Sequence, residues 1–196
     1  MGPDALRRAL LRDTGASSDF DLNPGTILPA GQILRPAAVL IAVWDRPEGV
    51  RLILTKRSSR LAHHPGQIAF AGGKIDAGDA GPEAAALREA HEEIGLLPEM
   101  VQVIGALPQH QTVTGYAVTP VLAHISGDFT PRAEAGEVDE VFTVPLTHVL
   151  NPAHYRIEGR RWRGELRRYY AVPYGPYYIW GATARILRGL AERLGP

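Results

Sequence analysis

Apolar residues recur at helical spacing from residue 3 to residue 11, and a polar stretch rich in Gly, Ser, Asp and Pro follows over 14–29. The chain is therefore expected to open with a short helix and a loop. Two aliphatic and β-branched runs come next, 37–44 and 50–55, separated by Asp45, Arg46, Pro47 and Gly49. That is a hairpin pattern, and both strands are expected in the core. From 66 to 81 the chain is rich in glycine; Pro82 then opens a helical segment to about Ile94, and Gly95 supplies its stop. Further strands are expected at 101–107, 117–125 and 141–144, with a short helix around 146–150. An arginine-rich stretch, 155–170, reads as a two-stranded ribbon turning near Glu158 and Gly159, and 178–194 as a closing helix. The mixture predicts an α/β or α+β sandwich, with no internal repeat and no low-complexity tract.

Length fits this reading as one domain: 196 residues, 45% of them hydrophobic, can bury about 70% of the unfolded surface without a metal or disulfide staple. The expected organisation is an N-terminal helix and loop over 1–30, a core over 36–150, and a C-terminal ribbon and helix over 153–196. The 21 basic residues balance 21 acidic ones, so no global field recruits nucleic acid or an anionic membrane. Cysteine is absent, which removes disulfides, thiolate nucleophiles and cysteine-ligated clusters and fits a cytoplasmic location. The longest apolar run, 37–44, is far short of the about 20 residues that span a bilayer. Lysine occurs only at Lys56 and Lys74; the other basic residues are arginine, which makes forked contacts with phosphate, although genome composition explains that bias as well.

Chemistry concentrates on the helix PEAAALREAHEEIGLL, residues 82–97. At about 100° per residue, Glu89, Glu92 and Glu93 fall within an arc of about 100°, while Leu87, Ala90, Ile94 and Leu97 share another face. Like charges so spaced repel by a few tenths of a kcal/mol per exposed pair, and a divalent cation would relieve them. Oxygen-only ligation suits magnesium or manganese, ions that commonly accompany phosphate substrates. A solvated helix face is the plainer alternative. The stretch AFAGGKIDAGDAGPE just upstream shifts the balance, because a glycine-rich backbone beside carboxylates offers carbonyls to a metal and amides to phosphate oxygens.

Loop and helix together resemble the motif of the Nudix hydrolases: Gly, five residues, Glu, seven residues, then Arg-Glu-apolar-any-Glu-Glu-any-Gly-apolar. Here Gly73 opens the match, and Arg88-Glu89-Ala90-His91-Glu92-Glu93-Ile94-Gly95-Leu96 fits every defined position of its second half. Asp79 stands where the family has Glu, with eight residues before Arg88 instead of seven. The resemblance implies an α/β/α sandwich with a mixed sheet and hydrolysis of a nucleoside diphosphate linked to another group. It implies Glu89 and Glu93 as principal ligands of Mg2+ or Mn2+, Glu92 as a further or water-mediated ligand, the Gly72 carbonyl as a backbone ligand, and Arg88 as the residue that orients a glutamate.

A longer stretch, LTKRSSRLAHHPGQIAFAGG at 54–73, resembles the extended motif of the coenzyme A diphosphatase branch. Leu54, Thr55, Arg57, Ser58, His64, Gly66, Phe70, Gly72 and Gly73 fit it, Ala62 replaces the branch's Arg, and Ala71 its Pro. Residues 114–121, TGYAVTPV, are similar to the branch as well. The expected reaction is cleavage of coenzyme A or a derivative to adenosine 3′,5′-bisphosphate and 4′-phosphopantetheine, with Arg57, His64, Gly66 and Gly73 contacting substrate and Arg57 or Arg60 replacing the lost cation. The alternatives are another Nudix substrate, such as ADP-ribose or a noncanonical nucleotide, and a catalytically silent Nudix-fold binding module.

Glu137 occupies a position where a general base is expected by the resemblance; a solvated acidic loop with Glu134, Asp139 and Glu140 is the other reading. His63 and His110 read as surface or loop-packing residues and His91 as helix surface. The arginines of 156–168, interleaved with Trp162, Tyr169 and Tyr170, suit an adenine ring and a 3′-phosphate, or else form a solvated face or a homodimer contact.

Overall fold

A computed structural model describes residues 2–12, 14–26, 31, 33–162 and 164–194. Residues 27–29 of the expected N-terminal loop, Arg163 and the Trp162 side chain lie outside the described residues. Among the described residues no helix is long and apolar enough to cross a membrane.

The chain opens with α1 (Pro3–Leu11), whose Leu6 and Ala9 are buried. A two-residue strand, β1 (Ser17–Ser18), follows within the expected loop. Next come the hairpin strands β2 (Arg35–Arg46) and β3 (Gly49–Arg57), paired from Val43↔Leu52 to Arg46↔Gly49. The glycine-rich segment contains two short strands that periodicity did not predict, β4 (Ile68–Ala69) and β5 (Ala71–Lys74). Helix α2 (Pro82–Ile94) starts at its proline and ends on Gly95, whose left-handed φ of 71° lets its N–H reach back to the last turn. Strands β6 (Val101–Ala106), β7 (His110–Gln111), β8 (Tyr116–Ile125) and β9 (Val138–Pro145) lead into the short α3 (Leu146–Val149). The chain closes with β10 (Arg156–Trp162), β11 (Glu165–Ala171) and α4 (Gly181–Leu194).

Among the described residues nine strands form one mixed sheet: β2 and β8 are parallel at its centre, β1 and β7 are parallel at one edge, and the β2–β3, β2–β5, β3–β4, β3–β9, β6–β8 and β7–β8 pairs are antiparallel. Side-chain alternation divides the apolar residues between its two faces. On β2, Leu40, Ala42 and Trp44 pack with Ala86, Ala90 and Ile94 of α2; Ile41 and Val43 pack with Leu6 of α1 and Leu187 and Leu190 of α4. The result is the expected α/β/α sandwich. One edge of β2 changes partner midway, pairing with β5 over 37–40 and with β3 over 43–46. At this fork the β5 backbone comes under α2.

The ribbon turns elsewhere than expected. Gly159 lies within β10 opposite Arg168, and Leu166 Cδ1 would stand 3.0 Å from a Cβ there; Gly164, with φ of 84°, belongs to the turn. A glycine in a strand here admits a neighbour's side chain instead of reversing the chain. Helix α4 also starts later than expected. Residues 171–180 fold back as an irregular hairpin, with bridges Ala171↔Trp180 and Tyr174↔Tyr177. His110 is fully buried and does pack a loop, with Ser17 Oγ at 2.9 Å from Nδ1 and Asp19 Oδ1 at 3.1 Å from Nε2, fastening β1 beside β7.

Candidate active site

The acidic helix face meets the β5 backbone. The Gly72 N–H donates to Glu93 Oε2 at 3.1 Å, and a Cβ on Gly73 would stand 2.4 Å from Glu89 Oε1, so the second glycine makes room for that carboxylate. Glu93 was expected on an exposed face with its two neighbours, but it is only 4% exposed. The buried side of α2 consists of alanines, Ile94 and Glu93 itself, while Leu97 lies beyond the helix and is partly exposed. A wheel diagram marks neither burial nor the backbone opposite, and here the small alanines bring the helix close to the sheet.

Electrostatics follow from this burial. Desolvation pushes the Glu93 carboxyl up to about 8, with the Glu89 and Glu137 charges adding to it and the Gly72 N–H and the Arg57 guanidinium opposing it. Burial also raises Glu89, against the pull of Arg88. The Glu137 charge thus lies near enough to both helix carboxylates to raise them. It is carried there by the 132–139 loop: the N–H groups of Arg132 and Glu134 donate to the carbonyls of Ile94 and Glu93 at the end of α2. Glu134 Oε2 accepts from the N–H groups of Gly136 and Glu137 and shapes the turn.

Arg88 ties the face together. Its guanidinium forks onto Asp79, Nε to Oδ1 and Nη2 to Oδ2, both at 3.0 Å, and Nη1 donates to Glu89 Oε1 at 3.1 Å and Glu92 Oε2 at 3.0 Å. Nη2 also donates to the Lys74 carbonyl. The extra residue between Asp79 and Arg88 is absorbed in the loop around Gly81, where φ is 147°, so the carboxylate still reaches the arginine. The Asp79 carboxyl is held below its ordinary value by the Arg88 fork first, then by the Asp76 N–H. Arg88→Lys keeps the charge and loses the fork. The expected result is a lower melting temperature and at least about tenfold slower hydrolysis, since a small displacement of Glu89 misplaces the reacting groups; a wild-type rate in the lysine variant contradicts this role.

The 58–66 loop is closed by Arg57 N–H to the Gln67 carbonyl and Gly66 N–H to the Arg57 carbonyl. It is also fastened to the Glu137 loop: Ser58 N–H donates to the Glu137 carbonyl, Ser59 N–H to Asp139 Oδ2, and the Arg60 guanidinium to the Ala135 carbonyl. Of the two arginines expected to replace the cation lost at Ala62, Arg60 is therefore engaged within the protein. Arg57 lies near enough to Glu93 to lower its pKa, and its buried Nε has no hydrogen-bond partner among the described residues. His64 is exposed in the left-handed region, φ 55°, beside Gly66 at 68°; such a conformation costs a non-glycine residue energy and recurs at functional loops.

Glu89, Glu92, Glu93, Glu137, Arg57, Gly72 and Gly73 thus come to one end of the sheet, with His64 and Gly66 in the adjoining loop. Among the described residues, however, no three His, Asp or Glu side chains already form a metal-holding group. Glu89 and Glu92 are turned to Arg88 and Glu93 to Gly72. Their chemistry nonetheless fits a hard divalent cation: the donors are oxygens, and Glu93 is a buried carboxylate whose hydrogen-bond partner is a neutral amide. Sequence reasoning did not find Asp79 as the arginine's forked partner, because it counted chain spacing without the loop's freedom.

A NUDIX domain model matches residues 34–163. A protein of Enterobacter sp. (strain 638) described as "Uncharacterized Nudix hydrolase NudL" is 43% identical over 186 residues, covering 89% of this chain and 96% of the relative. The protein of the same description from Escherichia coli (strain K12) is 46% identical over 161 residues, covering 82% of this chain and 83% of the relative. Among solved structures, a Nudix hydrolase from M. smegmatis, RenU, is 26% identical with a TM-score of 0.50, covering 59% of this chain and 73% of that one. Agreement of this extent, with the carboxylate helix and its glycine loop inside the matched residues, makes the chain a member of the Nudix hydrolases, enzymes that cleave nucleoside diphosphate derivatives and generally use divalent ions such as Mg2+ or Mn2+.

Proposed function

We propose that this hydrolase cleaves the pyrophosphate of coenzyme A or its derivatives with Mg2+ or Mn2+, giving adenosine 3′,5′-bisphosphate and 4′-phosphopantetheine. The observation that carries the reading is the fastening of the 58–66 loop to the Glu137 loop, which holds the extended 54–73 stretch beside the Glu137 segment.

In this reading Glu89, Glu93 and the Gly72 carbonyl hold the cation, with Glu92 as a further or water-mediated ligand. When bound there, such a cation would supply charge neutralisation for the diphosphate and would make the attacking water more acidic. Arg57 offers its free Nε–H to a phosphate oxygen, His64 and Gly66 bound the substrate on the loop side, and Gly73 leaves room for the Glu89 carboxylate. Glu137 takes the proton from water as its oxygen attacks phosphorus and the bridging P–O bond breaks. Catalysis then consists of charge neutralisation and positioning.

Incubation of the purified protein with coenzyme A and magnesium or manganese, followed by mass spectrometry, tests the reading, with ADP-ribose and nucleoside triphosphates in parallel. The two named products are expected. Intact coenzyme A beside a cleaved ADP-ribose or nucleotide rejects the substrate and keeps the family chemistry; silence on all of them points to a binding module.

A further inference from the structure

On the α4 side of the sheet a cleft of about 760 Å³ opens beside the 64–67 turn. Lys56 and Arg57 are adjacent on β3, where the pairing with β9 shifts register between them; Arg57 lies near the carboxylates and Lys56 lines this cleft. His64 and Gly66 form its near rim, so the cleft and the acidic pocket share one loop. None of the chemistry described above uses the far wall.

That wall is aromatic, and it is built by alternation. Ile179 is fully buried, which turns its neighbours Tyr178 and Trp180 outward together. Tyr177 stacks on Phe142 with ring centroids 3.6 Å apart. Tyr169 of β11 packs against Trp180 at 5.0 Å. The tyrosine hydroxyls are engaged: Tyr177 donates to Glu140, and Tyr178 to Glu158 on the ribbon. The carboxylate that lines the cleft, Glu140, is thus held by its wall. The ribbon's register places Arg160 on the same face as Glu158 and Tyr169, and among the described residues it is the ribbon arginine that lines the cleft. Arg160 makes no ion pair with any described residue.

A rigid aromatic wall beside a free guanidinium, with an ammonium across the opening, matches one ligand chemistry: a nucleobase that stacks and a phosphomonoester on its sugar that the two cations hold. We propose that this cleft binds the nucleoside part of the substrate and that Arg160 and Lys56 select a ribose phosphate separate from the diphosphate being cleaved. The inference rests on the proposed coenzyme A reading and specifies which part of such a molecule lies where. It also gives the ribbon a role: it brings Arg160 to the cleft.

Calorimetric titration of the metal-free protein with adenosine 3′,5′-bisphosphate and with adenosine 5′-monophosphate tests it without turnover. The bisphosphate is expected to bind about tenfold tighter, as one charge-assisted contact provides. Arg160→Ala and Lys56→Ala should each remove most of that preference while leaving the monophosphate within about twofold; Arg160 is exposed and Lys56 half-buried, and circular dichroism checks that each variant is folded. Trp180→Ala should weaken both nucleotides and Trp180→Phe restore them. Equal affinity in the wild type, or a preference that survives both cation variants, overturns the proposal. In turnover, Arg160→Ala should raise KM for coenzyme A and not for coenzyme A lacking its 3′-phosphate, with kcat unchanged. If the bisphosphate preference holds while coenzyme A stays uncut, the substrate reading falls and the cleft assignment stands; if coenzyme A is cut with no preference, the cleft assignment alone falls.

Discussion

Glu93→Gln is expected to reduce hydrolysis by about 10³-fold or more while the protein stays folded. Glutamine keeps the volume of the buried side chain, and its amide oxygen can still accept the Gly72 N–H; only the charge is lost. Circular dichroism and the melting temperature should therefore match or exceed the wild type. The pH dependence supplies a second readout. In the metal-free native state Glu93 holds its proton up to about pH 8, whereas the unfolded chain releases it near 4.5. Between those values the native state binds more protons than the unfolded one, so stability is full below about 4.5 and falls as pH rises toward 8. The steepest slope is about 1.4 kcal/mol per pH unit, and denaturant melts of the chelated protein should show it in the wild type and not in the glutamine variant. Undiminished hydrolysis by Glu93→Gln would sink the assignment of this carboxylate to the chemistry.

Gly72→Ala should have the largest effect on folding. An alanine Cβ would stand 2.4 Å from the Ala38 carbonyl oxygen and 2.6 Å from Val39 Cα, both backbone atoms of the central strand, at a φ of 154°. A flexible side chain could swing aside, but paired backbone cannot, so β5 would have to leave β2 or α2 would have to rise. We expect a loss on the order of 4 kcal/mol or more, a large part of a typical domain's stability. Urea melts measure it. The neighbouring Gly73→Ala is a contrasting case, since its added methyl meets the Glu89 carboxylate. It should cost activity well before stability, and a Gly72→Ala protein with wild-type melting would contradict the close approach described for β5.

The sequence made the hairpin, the acidic helix with its proline start and glycine stop, and the main strands legible because each has a period of its own. The two-residue strands β1, β4 and β7 carry no period, and pairing across the chain alone defines them. The burial of Glu93 was illegible for a related reason. A wheel places it beside Glu89, yet its environment depends on the glycine backbone of β5, which is distant in sequence. The aromatic wall was hidden by extending the closing helix to Tyr178, where alternation around Ile179, not helical spacing, governs. The carboxylate motif itself was readable because its members are contiguous, whereas the Arg88–Asp79 fork depends on how one extra residue is folded into a loop.

The parallel pairing of β2 with β8 has a consequence for how the chain is made. Arg35 to Trp44 find their partners only at Tyr116 to Ile125. On the ribosome, therefore, the most apolar run of the protein emerges long before the strand that completes its inner edge. The hairpin with β3 can form early, but its open side remains a template for unrelated chains until residue 125 has cleared the exit tunnel. Folding should be slow for the protein's size, since its central strand pair joins segments far apart along the chain. High-level expression should then favour low temperature or abundant chaperones, and truncations that end before β8 should aggregate rather than fold.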